Sequence, residues 1–92
     1  MRIANTNAKD YVRSRIPFQG NNLFGESIRN GYAVYSYGYH FPLFVYSLID
    51  RSWNGNSDKY SSSTSKHGSQ CSIYDYTSKT TGELQELIKT LS

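Results

Sequence analysis

The spacing of apolar and polar residues predicts a helix, three strands and a second helix, in that order. Asn7 is a good N-cap residue with Asp10 three positions later, and Ala8, Tyr11 and Val12 share one side of the turns that follow, so a short helix is expected over residues 8–15. Pro17 disfavours helical geometry at Ile16 and is expected to end it. Gly20, Asn21 and Asn22 signal a turn, after which Leu23, Phe24 and Ile28 mark a first strand broken by Gly25. Asn30-Gly31 is a strong hairpin signal, because both central positions of a type I′ turn need positive φ. Residues 32–37 and 40–49 are dense in aromatic and β-branched side chains and predict the second and third strands, with Pro42 at the start of the third or on an open edge.

Beyond Trp53, the run Asn54-Gly55-Asn56-Ser57-Asp58 reads as turn-rich, and Ser61 to Ser65 as a surface loop leading to Lys66 and His67. From Thr80 the pattern Thr-Thr-Gly-Glu fits a capping box, and Leu84, Leu87, Ile88 and Leu91 fall at i, i+3, i+4 and i+7, the apolar face of a helix lying across one side of a sheet. The expected fold is therefore α+β: a single domain over residues 1–92, a three-stranded antiparallel β-meander with an N-terminal and a C-terminal helix.

Composition narrows the function classes. Ninety-two residues are too few for two cores. Aromatics make up 15% of the chain, with nine Tyr, four Phe and one Trp, so much of the apolar area lies in rings. Ten Lys and Arg against seven Asp and Glu give a net charge of +3, which suits an anionic partner without the charge density of a histone-like binder. The single Cys71 excludes an internal disulfide or a multi-cysteine zinc site, and no apolar run is long enough to span a membrane. The start carries no secretory signal, so a soluble, cytoplasmic protein is expected.

Candidate chemistry is sparse. His40 and His67 show no metal-ligand spacing, so no metal or other cofactor is expected. Cys71 follows His67 by four residues, but a thiolate–imidazole pair is defined by spatial arrangement and an orienting group, and an inert buried thiol is the simpler reading. His40, His67, Lys59 and Lys66 could in principle serve a ribonuclease, yet no carboxylate–histidine spacing or phosphate cradle accompanies them. Recognition fits better. Tyr32, Tyr35, Tyr37, Tyr39, Phe41, Phe44 and Tyr46 occupy two neighbouring strands and should place rings on both faces, one under the C-terminal helix and one flanked by Arg13, Arg15, Arg29 and Arg51.

The stretch from Gly31 to Tyr46, with Trp53, Asp58-Lys59-Tyr60-Ser61 and Thr64-Ser65-Lys66-His67-Gly68-Ser69-Gln70, resembles a small phage and plasmid domain of undefined function with the pattern V-Y-S-Y-G-x-H-F-P, W, D-K-Y-S and T-S-K-H-x-S-Q. The likeness runs from about Leu23 to Cys71 and departs from the pattern at Cys71-Ser72-Ile73. As a whole the chain also resembles phage anti-CRISPR proteins that inhibit the type I-F surveillance complex. That resemblance implies inhibition by binding and not by catalysis, in the host bacterial cytoplasm, and a small α+β domain of this kind is expected to be a monomer. It would dock on the guide-RNA-loaded complex, touching subunits and guide phosphates, and block target DNA hybridisation. Arg13, Arg15, Arg29, Lys59 and Lys66 are the expected partner-binding residues. The alternative is a small nucleic-acid-binding protein or ribonuclease-type toxin.

Overall fold

The computed structural model describes residues 2–58, 71, 73 and 75–92. Among these residues six strands form one sheet: β1 (Phe18–Gln19), β2 (Leu23–Ile28), β3 (Gly31–Ser36), β4 (Pro42–Ser47), β5 (Ser52–Asn56) and β6 (Thr77–Lys79). They lie in sequence order, each pair antiparallel except β5 with β6, which is parallel. Among the described residues the helices α1 (Ala8–Arg13) and α2 (Thr81–Leu91) complete the α+β fold. The expected three-stranded meander is thus corrected to a mixed six-stranded sheet, with β2, β3 and β4 at its centre.

The extra strands have identifiable causes. Asn54 and Asn56 look like turn formers, but their side-chain amides donate to strand carbonyls, Asn54 to Val45 (3.4 Å) and Asn56 to Pro42 (2.7 Å). Trp53 pairs with Tyr46 across the ladder. These contacts make residues 52–56 a strand despite low propensity, because strand preference follows packing against neighbours. The strands β1 and β6 are two and three residues long, too short for any alternation to register.

Local punctuation also shifts. The helix α1 stops at Arg13, short of residue 15, and a Schellman motif rather than Pro17 ends it: Ile16 N–H donates to Tyr11 O (2.8 Å) and Arg15 N–H to Val12 O (3.0 Å), with Arg15 left-handed at φ 56°. At its start, Asn7 is αR and makes no side-chain cap bond, because a 3₁₀ turn over Asn5–Asn7 leads directly into the helix. Gly25 does not break β2. It pairs with Val34 and leaves room for the Tyr32 hydroxyl, which reaches Ile16 O at 2.7 Å. The hairpin turn is Arg29-Asn30, one residue before the expected pair and without positive φ, since Gly31 already pairs with Ile28. Gly31 is needed instead for close approach: a Cβ there would strike Tyr46 O and crowd Leu91. The third strand is shorter than residues 40–49 but does begin at Pro42.

Strand alternation sends Ala33, Tyr35 and Val45 to one face, where Leu84 and Leu91 of α2 cover them, and Tyr32, Val34 and Phe44 to the other, where Ala8 and Val12 of α1 and buried Cys71 cover them. The helix α2 begins as its pattern predicts. Thr80 Oγ1 accepts from Glu83 N–H (3.2 Å), and Thr80 N–H donates back to Glu83 Oε1 (2.9 Å). Its ends are tied to the sheet, Thr81 N–H donating to Asp58 Oδ2 (2.9 Å) and Leu91 O accepting from Asn30 N–H (2.7 Å). Among the described residues no helix is long and apolar enough to cross a membrane.

Candidate partner-binding surface

The strand rings divide by burial. Tyr32, Tyr35, Phe41 and Phe44 are core, Tyr46 is half-buried, and Tyr37 and Tyr39 are exposed in the turn between β3 and β4 rather than in a strand. Tyr39 is tied down, its hydroxyl donating to Glu26 Oε2 (2.9 Å) and its ring meeting Phe24 and Tyr35 edge-on at about 5 Å.

On the α1 side, Arg15 extends over the Tyr46 ring, its guanidinium carbon 4.5 Å from the centroid. Tyr46 in turn packs against Trp53 at 5.1 Å, and Trp53 meets Tyr32 and Phe44 nearly at right angles, 6.4 Å away. This cation–aromatic stack lies near the end of the sheet where the β2–β3 and β4–β5 turns meet through Leu48 N–H donating to Asn30 O (2.9 Å). Those turns carry exposed Arg29 and Arg51, and Arg13 is exposed at the end of α1. Exposed Leu48 and Ile49 add aliphatic area in the β4–β5 turn, and exposed Ile16 adds it next to Arg15 in the chain. Among the described residues one ion pair forms, Lys89 with Glu86, so no carboxylate neutralises these arginines.

Two of the arginines hold unfavourable backbone. Arg15 (φ 56°) and Arg51 (φ 54°) occupy left-handed positions that glycine fills without a Cβ penalty. What an arginine adds at each is its side chain, and both side chains are at this end of the sheet.

Of the five expected partner-binding residues, the structure brings Arg15 and Arg29 to this end, with Arg13 two residues from Arg15; Lys59 and Lys66 lie outside the described residues, as do the serine-rich run and His67. Trp53 has no distinguishing sequence signal beyond being a lone tryptophan, and only its cross-strand pairing with Tyr46 places it in the stack. Cys71 is fully buried, and burial pushes its thiol up to about 12, so at neutral pH it is no thiolate nucleophile. His40 is exposed, and among the described residues no group of His, Cys, Asp and Glu is placed to hold a metal ion. No protein family, curated protein or solved structure matches the chain.

Proposed function

We propose that this protein is a non-enzymatic, phage-encoded inhibitor that docks on the guide-RNA-loaded type I-F surveillance complex in the host cytoplasm and blocks target DNA hybridisation. The observation that supports docking through this surface is the pair of strained arginines, Arg15 over Tyr46 and Arg51 in the neighbouring turn, free of acidic partners among the described residues. Guanidinium groups bond phosphate oxygens in bidentate fashion, tyrosine and tryptophan rings stack on unpaired bases, and exposed aliphatics complete an interface of the composition that protein surfaces use for partners.

The test is binding of the purified chain to the guide-loaded complex, with target-duplex hybridisation as the functional readout. Arg15→Glu and Arg51→Glu are each expected to weaken binding by about tenfold or more and to flatten its salt dependence, because fewer counterions are released per contact. Arg51→Gly separates strain from function: the chain melts higher while the complex is bound less tightly. Equal binding by the reversal variants and the parent would overturn the proposal. The same surface also suits single-stranded nucleic acid, so a parallel titration with free guide-length RNA decides between the readings; tight binding to RNA alone favours the nucleic-acid-binding alternative.

A further inference from the structure

At the other end of the sheet from Arg29 and Arg51, the β1–β2 turn and the β3–β4 turn border an open cleft of about 290 Å³. Arg2, Gln19, Asn22 and Tyr37 line it with the more buried Leu23 and Phe24. This volume lies at the lower limit of small-molecule clefts, which start at about 300 Å³, so it accommodates one small ligand. Among the described residues no carboxylate lines it. Among the described residues the side chains of Arg2, Gln19 and Asn22 have no hydrogen-bond partner, and all three are exposed.

The rim is held in place by backbone bonds that leave those side chains available. Asn5 clamps the first turn twice, its Nδ2 donating to Asn21 O (2.9 Å) and its Oδ1 accepting from Asn21 N–H (2.7 Å). Ile3 N–H donates to Gln19 O (2.8 Å), holding the N-terminal segment to β1, and Tyr37 N–H donates to Asn22 O (2.9 Å), joining the two turns. Three residues of the rim have positive φ: Asn22 (58°) in the first turn, and Tyr37 (64°) and Gly38 (137°) in the second. A tyrosine is a rare occupant of that region, and backbone strain of this kind collects at ligand sites. The ring that the strain retains is half exposed at the cavity.

We propose that this cavity binds one nucleotide, a nucleoside 5′-monophosphate unit, either free or at the 5′ end of a strand. Each part of that ligand meets a matching group. The Arg2 guanidinium takes the phosphate, the Tyr37 ring stacks on the base, and the Gln19 and Asn22 amides, each with a donor and an acceptor, pair with a base edge. A bare inorganic anion would use only Arg2. This site is separate from the surface assigned to the surveillance complex, so neither outcome decides the other.

The test is a titration of the full chain, followed by amide chemical shifts, with uridine 5′-monophosphate, uridine, inorganic phosphate and a 5′-phosphorylated tetrauridylate as separate probes. The expected result is saturable shifts at residues 19–24, 37 and 38 with the monophosphate, weaker ones with uridine, and weaker still with phosphate. Arg2→Ala should weaken monophosphate binding by about tenfold while leaving the uridine response unchanged, since it removes a charge-assisted contact. Arg51→Ala should change nothing at these amides. Saturation by the free monophosphate identifies a small-molecule site, and saturation by the tetranucleotide alone identifies a strand terminus; either supports the proposal. Phosphate matching the monophosphate, no saturation by any probe, or an unchanged affinity in Arg2→Ala would overturn it.

Discussion

Single residues in this chain are chosen by what lies across the sheet from them as much as by their own backbone. Gly31 shows this best. Its neighbour Asn30 makes it look like a turn glycine, yet its φ is ordinary and its missing Cβ is what lets the Tyr46 carbonyl and the Leu91 side chain approach. Gly31→Ala is therefore expected to destabilise the fold by about 1–3 kcal/mol, the usual cost of overpacking a filled site, and to lower the melting temperature accordingly. Gly82→Ala, in the first turn of α2 where a Cβ would meet only Thr80 Oγ1 at an ordinary 4.0 Å, serves as the contrast and should raise stability by about 0.5–1 kcal/mol. Thermal melts of the two variants check both signs. The sequence could not reveal the difference, because both glycines follow residues common in turns or caps and the colliding atoms are 15 or more positions away in Gly31's case alone.

Among the elements, α2 was legible and β5 was not, for opposite physical reasons. The helix is specified locally: an apolar row of period 3.6 follows a capping box whose two bonds join residues three positions apart. The strand β5 is specified by pairing, its asparagine amides finding carbonyls on β4 that no short-range pattern announces. The junction of the two elements carries an acid-sensitive lock. The Thr81 backbone N–H holds the Asp58 carboxyl below its ordinary value of 3.8, and the Thr80 backbone N–H holds Glu83 below 4.5. Both carboxyls take up protons more readily unfolded than folded, so their contribution to stability is complete above those ordinary values and is lost as pH falls through the lower folded ones. The double variant Asp58→Asn, Glu83→Gln should accordingly show a shallower loss of melting temperature between neutral pH and pH about 3 than the parent. An identical slope would show that other carboxyls carry the acid transition.

Across the whole molecule, the class of fold and the use of both sheet faces follow from strand alternation, but the functional surfaces do not. Arg13, Arg15 and Arg29 could be named as exposed cations, whereas the stacking of Arg15 on Tyr46 depends on a helix ending that nothing in the local sequence marks with glycine. The Arg2 cavity is still less visible, since it joins residues near position 2, 20 and 37 through two turns. The parallel pairing of β5 with β6 has a kinetic side. Every other strand pair is joined by a tight connection, but Asn54 meets Thr77 only after the chain between them has closed a long crossover, and closure of that loop must precede any contact that rewards it. The antiparallel strands β2 to β5 should therefore gain structure first, and β6 should dock afterwards and open most often in the folded protein. In native-state hydrogen exchange the amides of residues 77–79 are expected to exchange through low-energy local openings, well ahead of those of β3 and β4, whose protection should approach the free energy of global unfolding.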